Sequence, residues 1–408
     1  MPRGTNSPRV GHYNQQVVLD AVRRAPNGVS QVQLVTKTGL SPQTVSTITR
    51  RLLEGGLLRT DGVLISGRGK PRTTLRINAS SQYAIGIHLD PAIVTVALTD
   101  LEGRSVAQIT SRDALGSDPT GSLEHVASLV HNAVADSRVD ISLIAGIGVA
   151  SPGPLDIKNG ALLHPPWLPG WDGFSIRDAV RTWLPLPVVV DKDTIAEATG
   201  ESWARHDLEG VTMLFMYLGT GVGSAVSTNG EVLRGSSNNA GEIGHLVVDS
   251  GNLICYCGRR GCLGRMSDPH FMVKDAYDRQ LLSRRPKTIT PATVDQAMTE
   301  ICGLAAAGHA AAHRLLVRSA AAVGEAARTL VGVHDSSLLV FGGPYWSRLA
   351  PYYLPVIREQ LTSAPETRIQ MTNVQGTVMG EAGGAIGAAS LVFDSAYSPR
   401  PEISLLHA

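Results

Sequence analysis

Residues 240–245 read AGEIGH, and ten residues beyond that histidine, residues 255–262 read CYCGRRGC. The two segments bring one imidazole and three thiols into a short stretch of chain. A Cys₃His set is the donor set of a closed structural zinc site, so we predict one structural zinc ion per chain. The predicted ligands are His245, Cys255, Cys257 and Cys262.

Two neighbouring features bear on this interpretation. Glu242 precedes His245 by three residues, which would place both side chains on one side of a helical turn. The alternative is a cluster of buried or disulfide-bonded cysteines, although four cysteines in 408 residues make a poor disulfide framework. Cys302 lies in an Ala-rich helical stretch and is expected to be a small core residue.

The length of 408 residues predicts two or three domains with well-buried cores. Hydrophobic residues make up 43% and charged residues 17%, which is ordinary for a soluble globular protein. No apolar run reaches the length of a membrane span, and the first seven residues lack the apolar core of a signal peptide. We therefore expect a cytoplasmic protein with no membrane partner.

The net charge of +1 is unevenly distributed along the chain. Residues 1–78 contain twelve Lys and Arg but three Asp and Glu, a net charge of +9, so the remainder carries −8. Such segregation indicates a polyanion-binding module joined to an acidic body. A merely solvated basic arm is the alternative, and the local pattern decides between the two.

Three short helices are predicted within this basic segment. An apolar stripe over residues 17–22 marks the first. Ser30 and Gln33 have the spacing of a capping box at the start of the second. Ser41 followed by Pro42 predicts an N-cap and first helical position for the third. A helix, a tight glycine turn and a helix make the helix-turn-helix pattern.

The third helix would bury Val45, Ile48 and Leu52 and leave polar side chains outward. Short polar groups and an arginine suit base edges and phosphates, so this helix is predicted to enter the major groove of DNA. The predicted base-reading residues are Gln43, Thr44, Ser46, Thr47 and Arg50. A three-helix bundle without a nucleic-acid role is the alternative.

Residues 57–60 and 73–77 predict the two strands of a hairpin whose tip is basic and glycine-rich, as in a wing near the minor groove. The predicted wing contacts are Arg68, Lys70 and Arg72. Helix-turn-helix modules read half-sites about one helical turn apart, and two-fold DNA symmetry mirrors two-fold protein symmetry. We therefore expect a homodimer or homotetramer bound to an inverted-repeat operator in double-stranded DNA.

From residue 79 the pattern changes to alternating strands and helices. Apolar strands are predicted at residues 83–89, 93–98, 143–150, 188–190, 213–218 and 338–343, and helices at 121–135, around 196–198 and at 380–391. Units of a strand, a turn and a strand occur twice, which indicates two related lobes around a cleft.

With these segments in view, residues 8–395 resemble the ROK family, named for repressors, open reading frames and kinases. The resemblance is carried by Gly146–Pro154, Leu168–Trp171, Asp193 with Glu197 and Glu201, Gly219–Gly223, Ala240–His245 and Cys255–Cys262. It implies an α/β fold in which a winged helix-turn-helix precedes a two-lobed actin/hexokinase-like (ribonuclease H-like) body, as in bacterial repressors of the xylose and N-acetylglucosamine type.

The resemblance also implies a division of the chain and a sugar site. The expected domains are residues 1–78, the winged helix; 79–190, the first lobe, completed by a C-terminal helix at about 378–395; and 191–377, the second lobe with the zinc site. The implied sugar site includes Asp193, Glu242 and His245, while the zinc ligands would be the four residues already named.

Family kinases open their first hairpin with Asp-x-Gly-Gly-Thr, whose N–H groups and hydroxyl cradle nucleotide phosphates. Here the corresponding residues, 88–92, read HLDPA. Pro91 removes an N–H donor, and Asp90 puts a negative charge where phosphate would lie. This turn is expected to repel ATP, so Asp193, the vestigial catalytic base, would have no phosphoryl transfer to catalyse.

The sugar site departs from the pattern as well. Family kinases have asparagines where this chain has Lys192 and Trp167, and a glutamate where it has Gly264. Trp167 offers a face on which a sugar ring could stack. Lys192 suits a phosphorylated or acidic sugar, unless it pairs with a flanking aspartate and the ligand is neutral or absent. The predicted effector-binding residues are Trp167, Lys192, Asp193, Glu242 and His245.

Two functions follow from the resemblance. The favoured one is a DNA-binding transcriptional regulator, a repressor of carbohydrate-related genes, whose catalytically inactive kinase-like body senses a small carbohydrate-type effector. The alternative is an active ATP-dependent sugar kinase with a DNA-binding extension, which the retained Asp193 and Gly219–Gly223 would support.

Overall fold

The computed structural model of the chain describes residues 7–64, 72–113, 115–165, 167–249, 253–283, 285–363 and 372–399. Within these segments the chain forms a winged helix followed by two sheets with helices between and around them. None of the helices in the described segments is both long and apolar enough to cross a membrane.

The winged helix consists of three helices and a two-stranded antiparallel sheet. Its elements are α1 (Ser7–Arg23), α2 (Gln31–Thr38), α3 (Pro42–Glu54), β1 (Leu58–Leu64) and β2 (Arg72–Ile77). Ser30 and Gln33 form the predicted capping box on α2, and the Ser41 hydroxyl caps α3. Among the buried residues of α3 are Val45, Ile48 and Leu52, as predicted.

The first body sheet has five strands in the order β5-β4-β3-β6-β9. Its strands are β3 (Tyr83–Leu89), β4 (Val94–Asp100), β5 (Ser105–Ser111), β6 (Ile144–Ser151) and β9 (Val188–Lys192), with a small hairpin, β7 (Leu155–Asp156) and β8 (Ala161–Leu162), after β6. Strand β4 pairs antiparallel with β3 and with β5, and β3, β6 and β9 run parallel to one another. The domain boundary expected at residue 190 falls inside β9.

The second sheet repeats this topology. Its strands are β10 (Thr212–Leu218), β11 (Val222–Thr228), β12 (Glu231–Val232), β13 (Leu338–Gly342) and β14 (Asn373–Gly376). Their order is β12-β11-β10-β13-β14, again with an antiparallel set of three followed by two strands parallel to the first. The same strand order in both sheets bears out the sequence interpretation of two related lobes.

Helices complete the layers. They are α4 (Pro119–Ser137), α5 (Ile176–Val180), α6 (Asp193–Ala204), α7 (Leu263–Ser267), α8 (Pro269–Asp278), α9 (Pro291–Ala306), α10 (Ala310–His334), α11 (Trp346–Ser363) and α12 (Gly383–Tyr397). The first sheet packs against α4 and α5 on one face and α12 on the other, while α7 to α11 cover the outer face of the second sheet. Helices α6 and α12 therefore lie between the two sheets.

Glycine permits a very close crossing of α6 and α12. A Cβ added at Gly200 would lie 2.7 Å from the Cα of Gly387, and one at Gly387 would overlap the carbonyl oxygen of Ala196. Strands β3 and β6 also approach α12 through Gly86 and Gly148, where a Cβ would overlap the helix backbone. The two sheets therefore lie closer together than they could if these positions carried larger side chains.

The first helix of the winged helix docks on this central layer. Its Val18, Leu19 and Val22 share a buried cluster with Trp203 of α6 and Phe393 of α12. The winged helix and the body therefore share a hydrophobic core, and they are not two independent domains joined only by a linker.

Gly387→Ala tests the crossing. We expect it to lower the free energy of unfolding by about 1–3 kcal/mol or more, because the new methyl group meets backbone atoms that cannot rotate away. Urea denaturation followed by circular dichroism measures this. Gly303→Ala, in an open position of α9, is the matched control and should be neutral or stabilising by up to about 1 kcal/mol. Equal effects of the two substitutions would contradict the close crossing.

Candidate functional site

A cavity of about 390 Å³ opens where the ends of β3, β6 and β9 meet the turn between β10 and β11. Ligand sites of open α/β sheets lie at such strand ends. The cavity is lined by all of the residues predicted to bind an effector: Trp167, Lys192, Asp193, Glu242 and His245. Effector contact by these residues remains a prediction, but the structure brings them together.

Asp193 is the first residue of α6 and follows β9 directly, which places its carboxylate at the cavity wall. Its Oδ1 accepts hydrogen bonds from the N–H of Thr194 at 2.6 Å and from the Thr194 hydroxyl at 3.1 Å. Burial raises the pKa of Asp193 to about 6. The carboxyl group is therefore mostly ionised at neutral pH and can accept a hydrogen bond.

Lys192 does not offer a free positive charge to the cavity. Its side chain is buried, and Nζ lies 2.5 Å from Oε1 of Glu242 and 3.2 Å from the carbonyl oxygen of Ala240. The expected alternative, pairing with a flanking aspartate, is also not what the structure has, since the Asp191 carboxylate pairs with Arg234 at 3.1 Å. The ammonium group instead neutralises a carboxylate expected to bind the sugar.

Glu242 and His245 do not share a helical turn, because residues 240–245 form loops and turns. Trp167 also differs from expectation. Its ring packs on His270, with centroids 4.5 Å apart and planes inclined by 38°. One part of the indole surface is therefore used by the protein, and a sugar ring could stack only on what remains.

Two polar residues at the start of α8, Asp268 and His270, also line the cavity and were not predicted from the sequence. Asp268 occupies the N-cap position of α8 but makes no side-chain capping bond there. Within the described part of the chain, its Oδ1 and the Nδ1 of His270 are buried without a hydrogen-bond partner. Burial raises the pKa of Asp268 to about 8, and burial lowers the pKa of His270. No periodicity marks these two residues, so only the fold reveals them.

The turn after β3 has the geometry expected from its sequence. Asp90 is buried, and its Oδ1 accepts the N–H of Ala92 at 2.9 Å. Its Oδ2 accepts the hydroxyl of Thr220 at 2.7 Å, which belongs to the glycine turn of the other lobe. The carboxylate thus uses the N–H and hydroxyl donors that a phosphate would need, and Pro91 has no N–H to add.

A second polar contact joins the lobes nearby. Nε2 of His88 lies 3.1 Å from the hydroxyl of Tyr217, and both side chains are buried. Burial lowers the pKa of His88, so the imidazole is neutral at physiological pH. With Asp90 and Thr220, this pair forms a clasp between the ends of β3 and β10.

The cysteine segment forms a compact donor cluster beside the cavity. The ligand atoms of His245, Cys255, Cys257 and Cys262 all lie within 4.8 Å of one another. Nδ1 of His245 is 3.6 Å from Sγ of Cys255, and Sγ of Cys257 is 3.7 Å from Sγ of Cys262. All three cysteines are free thiols, so the disulfide alternative is wrong.

The two shorter separations match the ligand spacing around a tetrahedral metal ion, and the other pairs lie within 4.8 Å. Bonds of about 2.3 Å to sulfur and 2.1 Å to nitrogen place donors about 3.6–3.8 Å apart. Burial raises the pKa of the Cys262 thiol, whereas the backbone N–H of Arg259 lowers the pKa of Cys257. A bound cation would favour the thiolate form at all three positions. Cys302 lies apart in α9, and its side chain packs at the edge of the core there.

The residues predicted to read DNA lie on the outward face of α3. Gln43, Ser46 and Arg50 are exposed, and Thr44 and Thr47 are half-buried. The Arg50 side chain faces solvent, 4.0 Å from Glu54. Of the predicted wing residues, Arg68 and Lys70 lie outside the described residues, and for Arg72 the structure describes only the backbone, in β2.

The chain has a winged helix joined to a two-lobed body in which one five-stranded sheet topology occurs twice. This architecture places it in a class that includes transcriptional regulators and kinases. Residues 84–395 match the model of the ROK family, and residues 13–62 match a model of the MarR family. Because the first match spans most of the chain, the chain belongs to the ROK family.

Its relatives include both repressors and kinases. It is 24% identical to the xylose repressor of Caldicellulosiruptor bescii over 322 residues, 77% of this chain and 79% of that protein. It is 35% identical to a glucokinase of Halalkalibacterium halodurans over 140 residues, 34% of this chain and 42% of the kinase. The crystal structure of a ROK family transcriptional regulator, described as a homologue of the Escherichia coli Mlc protein, superposes with a TM-score of 0.73 at 21% identity and covers 98% of both chains.

Proposed function

We propose that this protein is a DNA-binding transcriptional repressor of carbohydrate-related genes. In this proposal the winged helix binds an inverted-repeat operator in the cytoplasm as part of a homodimer or homotetramer. The body binds a carbohydrate effector in the cavity and transfers no phosphate. Relatives named as repressors support the regulatory role, since the chain shares with the xylose repressor most of the length of both proteins.

The observation that carries this proposal is the turn after β3. A sugar kinase needs free donors at this position to hold the nucleotide phosphates. Here Asp90 already takes the Ala92 N–H and the Thr220 hydroxyl, and its own negative charge would oppose a phosphate. The geometry supports a body that binds a ligand without phosphoryl transfer, and it disfavours the kinase alternative.

The contact between α1 and the body supports a coupling of effector and DNA. The guanidinium of Arg23 lies 4.3 Å from the ring centroid of Trp203 and donates a 2.7 Å hydrogen bond to its carbonyl oxygen. Trp203 lies in the last turn of α6, the helix that begins with Asp193 in the cavity wall. A ligand that shifts α6 would therefore also shift the support of the winged helix.

We also propose that the metal of the Cys₃His cluster is zinc, in a structural role. The donor set and its spacing fit a closed four-ligand site. Such an ion would fix the loop that carries Tyr256 and His245 at the cavity wall. It would act through the shape of the cavity and not as a Lewis acid.

Operator binding is the first test. We expect Arg50→Ala to weaken specific binding by about tenfold or more, because a base contact is lost. Changing Arg68, Lys70 and Arg72 to Gln should weaken binding to all sequences and reduce the salt slope by up to about 3, because each phosphate contact contributes about 0.9. Fluorescence anisotropy with genomic inverted repeats at several salt concentrations measures both. Arg285→Gln, on the body, is the control; a monomer protecting one asymmetric half-site would contradict the proposal.

The second test is a coupled kinase assay with ATP and a panel of hexoses and pentoses. We expect no turnover above background, because the phosphate turn is occupied by Asp90. Asp193→Asn serves as the control, since activity that survives in it belongs to a contaminating kinase. Turnover of about one per second or more in the wild type, abolished in this variant, would establish the kinase alternative.

The third test concerns the metal. Purified protein should contain about one zinc ion per chain, and Cys257→Ala should lose it together with part of its thermal stability. Inductively coupled plasma spectrometry and thermal unfolding provide the two readouts. Cys302→Ala, at the cysteine outside the cluster, should keep its zinc. Equal zinc contents in the two variants would show that the cluster does not hold the metal.

A further inference from the structure

Two side chains of the cavity wall carry buried polar atoms that have no hydrogen-bond partner in the described part of the chain. Such atoms mark the places where a ligand could form a hydrogen bond. Asp268 and His270 both line the cavity, and each has one buried polar atom without a protein partner. Buried polar atoms in proteins are almost always hydrogen-bonded, so two orphans on neighbouring cavity residues call for a ligand or ordered water.

Asp268 is held in place by its surroundings. The backbone N–H of Val222 hydrogen-bonds to its carboxylate, and its own N–H donates to the carbonyl of Gly264 at 2.9 Å. A Cβ added at Gly264 would lie 2.9 Å from Oδ2 of Asp268. The carboxyl group therefore fills the space left open by a glycine at position 264, and its other oxygen stays unused.

The charges around the cavity restrict what can bind there. Four acidic residues line it: Asp90, Asp193, Glu242 and Asp268. Among the described residues of the lining, Lys192 is the one Lys or Arg, and it already pairs with Glu242. A phosphate or carboxylate group would thus lose its hydration without gaining an unpaired cation, which is costly in a buried site.

We propose that the cavity selects an uncharged, polyhydroxylated sugar, one of whose hydroxyl groups hydrogen-bonds to Asp268, and that it discriminates against the phosphorylated form of that sugar. This inference rests on the proposed effector role of the cavity. It replaces the expectation, drawn from Lys192 alone, of an anionic effector.

The chemistry of Asp268 agrees with a hydroxyl partner. Because burial raises its pKa to about 8, the carboxyl group of Asp268 is largely protonated at neutral pH. A carboxyl group in that state can both donate and accept, as can a sugar hydroxyl. The ring nitrogen of His270 offers a second polar contact two residues further along the chain.

Isothermal titration calorimetry on the full-length, zinc-replete protein tests the proposal. The probes are D-xylose, D-glucose and N-acetyl-D-glucosamine, with glucose 6-phosphate and N-acetylglucosamine 6-phosphate as the anionic counterparts. We expect at least one uncharged sugar to bind the wild type, and the phosphates to bind at least about tenfold more weakly than that sugar.

With the sugar that binds, Asp268→Ala should weaken affinity by about tenfold or more, the usual cost of losing a hydrogen bond to an acidic group. Asp268→Asn keeps the shape of the side chain, so it protects the test against misfolding; it should weaken affinity in the same direction but less. Asp278→Ala is the matched control, because this acid ends the same helix and pairs with Arg285 on the surface. It should bind like the wild type.

The outcomes separate this inference from the proposed function. Wild-type affinity in both Asp268 variants, or tighter binding of a phosphorylated sugar, would overturn the inference alone. Failure of every sugar to bind, with operator binding intact, would overturn the inference and the effector role together but leave the DNA-binding role standing.

Discussion

The close crossing of α6 and α12 is the constraint on which the arrangement of the two lobes depends. Gly200 and Gly387 let the backbones of the two helices touch, so both fit between the sheets. Any larger residue at either position would separate the sheets and open the cavity between their strand ends. The clasp of Asp90 with Thr220 holds the same two lobes together at the cavity mouth, and it could not form at a wider spacing.

Helix α6 runs from the cavity to the contact between the body and the winged helix. Its first residue, Asp193, lines the cavity, and its 12 residues span about 18 Å to the contact with α1. Along the way, Glu197 accepts the N–H of Gly343 at 2.8 Å and Glu201 accepts the hydroxyl of Thr377 at 2.7 Å. The helix is thus anchored to the second sheet at two points, and it can move only together with that lobe. In the proposed function, α6 is the rigid element through which the cavity and the winged helix would influence each other.

Local signals in the sequence were sufficient for the winged helix, because caps and apolar stripes are short-range. The effector-binding residues that line the cavity were expected from the resemblance to the ROK family, whereas the order of the strands in the two sheets was not predicted. Strands β5 and β14 were missed, since one is a half-polar edge strand and the other has only four residues. The partner of Lys192 could not be predicted either, because Glu242 is fifty residues away and reaches it only through the fold. Asp268 was missed for the same reason.

Two of the departures from a kinase site, at Asp90 and Lys192, form a consistent electrostatic pattern once their partners are known. Asp90 places a carboxylate where a nucleotide phosphate would otherwise lie, and it accepts the N–H of Ala92 and the hydroxyl of Thr220 in the glycine turn of the other lobe. Lys192 supplies a fixed positive charge to Glu242. These two substitutions therefore satisfy, within the protein, a donor or a charge that a substrate would satisfy in a kinase. Among the described residues of the lining, the buried polar atoms without a partner are Oδ1 of Asp268 and Nδ1 of His270, which suits the proposed sensing of a neutral molecule better than catalysis.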